Sequence, residues 1–326
     1  MSAEMTPQTW VDFVSREYLG DFIAAGGSAV KFVVPSDSLS RTDLTRGLAD
    51  AATEQGYVCA SVSAARTKIH MVDHLFFEVA ATVDWSALAR GVLARIASAS
   101  GYKVPDGSGS FLATLAAEND MDEDFLRTEM RREVSRKVFR RPSLARDFRV
   151  AMSQLCLAEL ASDAEKAVTY ALFTEWLTGA TRTVGALKSY QIFTKINRTN
   201  ARAMLESLQD WIRYAGLTGL VVVVDAERLT LAKRPTDGSL HYTKMARLDA
   251  YEVFRQFIDA TDRAQGFMLV VVPGADFLDP SPTSKGLGEY QALKFRVYDE
   301  VRDLQLVNPM AALARISTTA QEVSAR

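Results

Sequence analysis

Cysteine is scarce in this chain, which has two among 326 residues. Cys59 lies in a strand-like run and Cys156 in a helix-like run, and neither has a second cysteine or a plausible base beside it. Disulfide-stabilised secreted domains use cysteine far more densely, and cysteine metal sites need closely spaced pairs. We therefore predict two buried, reduced thiols and exclude a disulfide framework.

Long hydrophobic runs are also missing. No apolar stretch approaches the roughly 18 residues that indicate a membrane-spanning helix, and the start, MSAEMTPQTW, lacks the basic and apolar regions of a signal peptide. The content of 48% hydrophobic and 24% charged residues is typical of a soluble protein with a sizeable core. These features predict a cytoplasmic protein that has no membrane partner.

Neither sign of charge is in excess, because 38 Lys and Arg nearly balance 40 Asp and Glu. Nothing global therefore demands nucleic acid as a partner. The stretch Arg127 to Arg149 is nevertheless rich in arginine, and it is either a solvated helical face with salt bridges to nearby acids or a surface that contacts the DNA backbone. The candidate DNA-binding residues are Arg131, Arg132, Arg136, Lys137, Arg140 and Arg141.

The stretch VKFVVPSDSLSRTDL, residues 30–44, has the frame of a phosphate-binding loop. Such a loop follows a buried strand with G-x-x-x-x-G-K-[ST] and leads into a helix. Pro35 and Ser40 stand at the two glycine positions, and Arg41 and Thr42 stand where Lys-[ST] belongs. The strand and the helix of the motif are thus predicted, but its chemistry is altered.

Three of these residues argue against tight nucleotide binding. Pro35 has no N–H to offer a phosphate, and it lacks the backbone freedom of glycine. Asp37 adds a negative charge where a triphosphate would lie. Arg41 keeps a positive charge, but as a broad planar fork rather than a compact ammonium. We predict a site without hydrolysis and without a bound cofactor, with ATP and Mg²⁺ as the alternative if the site is still competent.

A second apolar run, GLVVVVDAER, ends in Asp225. In P-loop NTPases an aspartate at the end of such a strand, beside the phosphate loop, helps to hold Mg²⁺. Ala226 stands where the glutamate that polarises water would follow, and Glu227 is one position further on, where a side chain points elsewhere. Glu227 is therefore a weak candidate base, no catalytic residue is predicted, and the remnant nucleotide site is Arg41, Thr42 and Asp225.

The order of the patterns predicts a parallel α/β domain with a large helical insertion. A helix over 9–25, a strand from residue 30, a helix over 42–54 and the strand YVCASVSA come first. An almost wholly helical pattern follows, and then two further strand–helix pairs. We predict an α/β domain formed by residues 1–84 and 206–326, with residues 85–205 inserted. His70 and His74, four residues apart in HMVDH, lack a third ligand, so no metal site is predicted.

Three long phrases carry a resemblance to a known family: EYLGDFIAAGGSAVKFVV at 17–34, LKSYQIFTKINRTNARAMLESLQDWIRYAGLTGLVVVVDAERL at 187–229, and YTKMARLDAYEVFRQFIDATDRAQGFMLVVVPGADFLDPSPTSKGLGEYQALKFRVYDEV at 242–301. They resemble the small AAA+-like ATP-binding proteins of bacterial BREX and phage-growth-limitation loci, the BrxD family. By position, Arg41, Thr42 and Asp225 match that family's Walker lysine, Ser/Thr and aspartate, whereas Pro35, Ser40 and Ala226 depart from it.

The resemblance implies a P-loop NTPase-like fold of AAA+ type and a role in phage defence. Together with the altered loop it implies a pseudo-ATPase subunit of a complex that contains an ATPase or helicase. Because AAA+ sites form between subunits, an oligomer is implied, and Arg296 and Arg302 are candidates to serve a neighbour's site. Two alternatives stay open, an active or nucleotide-sensing ATPase with a non-standard loop and a DNA-binding adaptor.

Overall fold

A computed structural model describes residues 5–104, 109–231, 235–281, 283–298 and 308–318. They divide into two compact units, one within residues 1–79 and 218–326 and the other within residues 80–217. The α-helices of the described residues are α1 (Pro7–Phe13), α2 (Ser38–Glu54), α3 (Val72–Thr82), α4 (Trp85–Ala99), α5 (Phe111–Asn119), α6 (Glu123–Val134), α7 (Arg146–Ala158), α8 (Asp163–Leu177), α9 (Ala201–Tyr214), α10 (Lys244–Asp259) and α11 (Gln291–Val297).

The strands of the described residues are β1 (Ser28–Pro35), β2 (Tyr57–Ser63), β3 (Gly219–Asp225), β4 (Phe267–Val272) and β5 (Leu313–Ile316). They form one sheet in the order β2-β3-β4-β1-β5, and every neighbouring pair is parallel. The predicted α/β class with a parallel sheet is confirmed. The sequence did not predict β5, and β4 separates β3 from β1, so the strand that ends in Asp225 is not the direct neighbour of the strand before the altered loop.

Helices cover both faces of the sheet. On one face, Ala29 and Val33 of β1 share a buried cluster with Leu44 and Leu48 of α2. On the other, the ring of Phe32 packs edge-on against Phe254 of α10, with ring centroids 5.9 Å apart. Strands buried on both faces read as continuous apolar runs, which is why VVVV and FMLVVV were recognisable in the sequence.

The first helix differs from the prediction of one regular helix over 9–25. After α1 the chain continues in π-helical winding over Val14–Ile23. Trp10 and Val14 are fully buried, but Phe22, expected on the same face, is 49% exposed. A π-helix has more residues per turn than an α-helix, so residues placed at α-helical spacing drift off the buried face.

The second unit is helical in its described residues and runs from α4 to α9. Its boundaries at residues 80 and 217 keep the whole of α9 in the helical unit, whereas the predicted boundary at 205 falls inside that helix. A buried carboxylate, Glu159, accepts hydrogen bonds from Ser86 at 2.6 Å and from Tyr170 and Lys166 at 2.8 Å each. These hydrogen bonds and the Lys166 ammonium compensate the Glu159 charge, which would otherwise be costly to bury.

Both cysteines are free, as predicted. Cys156 is fully buried and Cys59 is half-buried, and burial raises the pKa of the Cys59 thiol to about 11. A thiol with so high a pKa is protonated and unreactive near neutrality. In the part of the chain that the structure describes, no helix is long and apolar enough to cross a membrane.

Candidate functional site

The altered loop is largely replaced by helix. We expected a loop over residues 35–40 and a helix from Thr42, but α2 begins at Ser38. Asp37 is its N-cap: Oδ1 accepts a hydrogen bond from Ser40 N at 2.8 Å, and Oδ2 accepts from the hydroxyls of Ser36 at 2.7 Å and Ser40 at 3.0 Å. This cap lets the helix start four residues early, and Ser40 is buried in its first turn.

Asp37 also lies where an anionic ligand would bind. The N-terminus of a helix presents backbone N–H donors and the positive end of the helix dipole, which together attract phosphate. Here the Asp37 carboxylate accepts from one of those donors, the Ser40 backbone N–H, and this hydrogen bond and that from the Ser36 hydroxyl lower the pKa of Asp37. The position expected for phosphate thus holds a side chain of the protein itself.

Arg41 connects α2 to the ends of two strands. Its Nη1 donates to Asp225 Oδ1 at 2.9 Å and to the carbonyl oxygen of Val272 at 2.8 Å, and its Nη2 donates to the carbonyl oxygen of Pro273 at 2.8 Å. The Arg41 side chain is 14% exposed. The planar fork therefore spans β4, because it reaches Asp225 at the end of β3 while it binds the backbone that follows β4.

Asp225 has further partners at the same place. Oδ1 also accepts from Glu227 N at 3.2 Å, and Oδ2 lies 3.5 Å from the hydroxyl of Ser63 at the end of β2. Glu227 Oε1 is 3.9 Å from Arg41 Nη2, at the limit of an ion pair. Arg41, Asp225 and Glu227 therefore form one cluster. The sequence had predicted that the Glu227 side chain would point elsewhere.

Thr42, the third residue of the predicted remnant, belongs to its own helix. Its hydroxyl donates to the carbonyl oxygen of Ser38 at 2.9 Å, the usual back-bond of a threonine within a helix. Among the described contacts, Thr42 has no hydrogen bond to Arg41 or Asp225. Two of the three predicted residues are therefore joined directly, and the third is placed on the exposed side of the same helix.

The end of β5 closes the altered loop from the other side. Ser36 N donates to Ile316 O at 2.9 Å, and Thr318 N donates to the hydroxyl of Ser40 at 3.0 Å. Sequence reasoning missed this contribution because β5 has four residues, and its one signal was the short apolar run LARI. Ser36 and Ser40 therefore both form hydrogen bonds with Asp37 on one side and with residues 316–318 on the other.

These residues do not fit a Mg²⁺-nucleotide complex. Asp37 places a carboxylate at the helix N-terminus, Arg41 has its donors on protein oxygens, and the Thr42 hydroxyl is bonded to its own helix. The described residues also contain no group of three or more His, Cys, Asp or Glu that could hold a metal ion, His70 and His74 included. The cluster is arranged to hold α2, β3 and β4 together.

Most of the predicted DNA-binding residues have acidic partners. Glu129 pairs with Arg132 at 2.6 Å, and Glu133 pairs with Arg136 at 2.7 Å and Lys137 at 3.3 Å. Glu133 is buried, whereas its partner Arg136 is largely exposed and Lys137 is half-buried. These pairs support the interpretation as a helical face with salt bridges, because cations shared with carboxylates are less available to phosphates.

The remaining three candidates differ from one another. Arg141 forms a two-pronged pair with Asp210, at 2.7 and 2.8 Å, and its guanidinium lies 4.1 Å from the ring centroid of Tyr214. Arg131 and Arg140 are exposed and form no ion pair with a carboxylate of the described residues. Arg141 is thus committed to the helical unit, and Arg131 and Arg140 stay available.

Of the two arginines predicted to contribute to a neighbouring subunit's site, one lies in the described residues and the other does not. Arg296 pairs with Asp259 through both Nε and Nη2, and its Nη1 donates to Ala292 O at 2.9 Å. It therefore joins α11 to α10. Arg302 lies outside the described residues.

Comparison with known proteins gives the family. Neither a curated protein nor a solved structure matches the chain significantly. A family model described as BREX system ATP-binding protein BrxC/D matches residues 17–323 of the 326. The match includes β1, the altered loop, Asp225 and all residues of the cluster around Arg41. The chain belongs to the family of BREX system ATP-binding proteins BrxC/D.

Proposed function

We propose that the protein is a catalytically silent, pseudo-ATPase subunit of a BREX phage-defence complex. Its α/β unit is a P-loop NTPase-like domain of AAA+ type with residues 85–205 at the core of the helical insertion. The family match supports the BREX setting. The observation that carries the loss of activity is the ion pair between Arg41 and Asp225, which occupies the predicted nucleotide and Mg²⁺ site.

The Arg41–Asp225 pair opposes nucleotide binding from both sides. A phosphate that took Arg41 would leave Asp225 and the carbonyl oxygens of Val272 and Pro273 without their donor. A Mg²⁺ ion that took Asp225 would have to displace the guanidinium and repel it. Each change breaks hydrogen bonds of a partly buried charged group, and a hydrogen bond to a charged group contributes about 1.5–3 kcal/mol.

Asp37 adds a second obstacle. A phosphate at the start of α2 would meet the Asp37 carboxylate, which already accepts three hydrogen bonds there. Like charges at this distance disfavour binding, and removing Asp37 from the site would uncap the helix. The same interactions that stabilise the fold therefore oppose the ligand.

A silent subunit of this kind acts by binding other proteins. The proposed partners are other subunits of the complex, an ATPase or helicase among them, and DNA contact through Arg131 and Arg140 is a second mode. Arg296 is a weaker candidate for a contact with a neighbouring subunit's site, because such a contact would break the ion pair of Arg296 with Asp259 that joins α10 and α11.

The test is a thermal-shift titration with ATP and ADP, each with and without Mg²⁺, alongside a phosphate-release assay. We expect no Mg²⁺-dependent shift at millimolar nucleotide and no turnover above that of Asp225→Asn protein purified in parallel. A ligand at a hundredfold excess over its Kd stabilises by about 2.7 kcal/mol, which the titration would detect.

The opposite result identifies the alternative. Turnover that Asp225→Asn abolishes would show an active enzyme with a non-standard loop, in which Glu227→Gln should also be inactive. Stabilisation by ATP without turnover would show a nucleotide sensor in which Arg41 exchanges Asp225 for phosphate. Either outcome would overturn the proposed silent site.

A further inference from the structure

A second concave site lies in the α/β unit, away from the cluster around Arg41. It is a cavity of about 420 Å³ beside β5, the short turn after β4 and α11. Ala314 and Ile316 of β5 belong to the core shared with α2, so the alternation of a strand puts Arg315 on the opposite face of the sheet. Arg315 lines the cavity there, together with Lys294 and Tyr298.

Apart from Asp279 and Gly288, the other walls of the cavity are apolar. Phe277, Leu278, Pro280 and Leu287 contribute to its lining. Phe277 is held firmly, because its ring stacks on Phe32 with centroids 5.8 Å apart. A volume of this size, mostly apolar walls and a few polar groups are the usual features of small-molecule sites.

Among the described residues, the two cations of this cavity have no ion-pair partner. Within the described ranges, the side chains of Lys294 and Arg315 form no ion pair and no hydrogen bond. The contact found for Lys294 is a distant one, with Nζ 6.0 Å from the ring centroid of Tyr298. Both side chains are half-buried, and desolvation without a counter-charge is unfavourable.

Three other arginines of the same unit are paired. Arg41 binds Asp225, Arg247 binds Glu289 with both prongs of its fork, and Arg296 binds Asp259. The carboxylate that lines the cavity, Asp279, accepts hydrogen bonds from the backbone N and the hydroxyl of Ser281, at 2.9 and 3.0 Å. Among the described residues Asp279 forms no ion pair with Lys294 or Arg315, so the cavity has two cations against one carboxylate.

We propose that this cavity binds a small organic anion, with a carboxylate or phosphate held by Lys294 and Arg315 and an apolar body against Leu278, Pro280 and Leu287. Arginine binds such groups through two parallel N–H donors, and lysine adds a compact charge. The proposal does not depend on the silent nucleotide site, since the cavity shares no residue with the cluster around Arg41.

The test uses three naphthalene probes in isothermal titration calorimetry with the full chain: 1-naphthyl phosphate, 1-naphthoate and the neutral 1-naphthalenemethanol. We expect saturable binding of at least one anion, about tenfold or more tighter than binding of the alcohol, since a charge-assisted contact contributes at least that factor. Tighter binding of the phosphate identifies a phosphate-bearing ligand, and tighter binding of the carboxylate identifies a carboxylic acid.

Variants locate the site. Lys294→Gln and Arg315→Gln should each weaken anion binding about tenfold and leave binding of the alcohol unchanged. Arg263→Gln, which removes the same charge from an exposed position between α10 and β4, is the matched control and should bind as the parent does. If Arg315→Gln does not fold, Lys294→Gln and Arg315→Lys carry the comparison.

Three results would overturn the proposal. They are the absence of saturable binding by either anion, equal affinity for the anions and the alcohol, and unchanged anion affinity in a folded Lys294→Gln variant. Titration of ATP against the same variants separates this site from the one at Arg41. ATP bound at Arg41 should bind Lys294→Gln and the parent protein equally well.

Discussion

Arg41 Nη1 lies 2.9 Å from Asp225 Oδ1, and the pair joins the first turn of α2 to the end of β3 across the intervening strand β4. In an NTPase the residues at these two positions would bind phosphate and metal. Here they bind each other. It makes the cluster a structural element whose contribution to stability can be measured.

Arg41→Met is expected to lower the free energy of unfolding by about 1–3 kcal/mol, because it removes the ion pair with Asp225 and the hydrogen bonds to the carbonyl oxygens of Val272 and Pro273. Arg46→Met on the same helix is the control, since Arg46 is 65% exposed and pairs with an accessible Asp43. That control should change stability by less than about 0.5 kcal/mol. Urea unfolding measures both, and equal effects would contradict the role given to Arg41.

Asp37→Ala is expected to lower the melting temperature by removing the cap of α2, and Asp37→Asn to lower it less, since asparagine is also a good N-cap. The folded state lowers the pKa of Asp37, so the carboxylate's contribution is present above its unfolded pKa of about 3.9 and is lost as pH falls through the folded value. The difference between the parent and Asp37→Ala should therefore shrink in strongly acidic solution. A difference that grows on acidification would contradict the cap.

Lys31 should give a dependence of the same sign, but at alkaline pH. It is 5% exposed, donates to Tyr18 Oη and Met310 O at 2.6 Å each, and burial lowers its pKa from 10.5 to about 8. Between these two values the unfolded chain binds more protons than the folded one, so the stability due to Lys31 rises with pH. Urea unfolding at pH 7.5 to 10 should show a smaller rise for Lys31→Met than for the parent. Parallel curves would exclude the assigned titration.

Arg141→Ala should destabilise the helical unit by about 1–3 kcal/mol, because Arg141 loses two hydrogen bonds to Asp210 and its contact with the ring of Tyr214. Arg131→Ala should be neutral within about 0.5 kcal/mol, since Arg131 is exposed and has no carboxylate partner among the described residues. Thermal unfolding distinguishes them. Equal losses would mean that the arginine stretch has no internal division of roles.

DNA binding through this stretch should be weak. Two free cations, Arg131 and Arg140, predict a slope no steeper than about −2 in a plot of log affinity against log salt concentration. Fluorescence anisotropy with a labelled duplex measures the slope, and Arg131→Glu with Arg140→Glu should abolish the binding. A slope near −5 would show instead that Arg132, Arg136 and Lys137 leave their carboxylates for phosphate.

Several elements could be predicted from the sequence because their signals are local. The continuous apolar runs of β1, β3 and β4 indicate buried parallel strands, and the residues of the altered loop were recognised by their spacing. The start of α2 was misplaced because Asp37, Ser38 and Ser40 favour loops and caps equally, and only the hydrogen bonds of Asp37 decide between them.

Other features depend on partners distant in the sequence. Arg41 and Asp225 are 184 positions apart; the two motifs placed them in one site, but no local pattern indicates that they form an ion pair. Strand β5 has four residues and is defined by its pairing with β1. The altered glycine positions suggested a lost activity, but the hydrogen bonds of Asp37 at the start of α2 and the ion pair of Arg41 with Asp225 depend on geometry that residue spacing does not contain.

The order of the sheet also has a consequence for biosynthesis. Strand β1 pairs with β4 and β5, and β2 pairs with β3, so no strand has a neighbour until residue 219 has been made. The helical unit within residues 80–217 is complete by then. Chains grow from the N-terminus at about 5–20 residues per second, and pairings between distant segments form slowly. The nascent chain therefore exposes the unpaired apolar segment VKFVV of β1 for many seconds. Before β4 is synthesised, this segment is a natural substrate for chaperones.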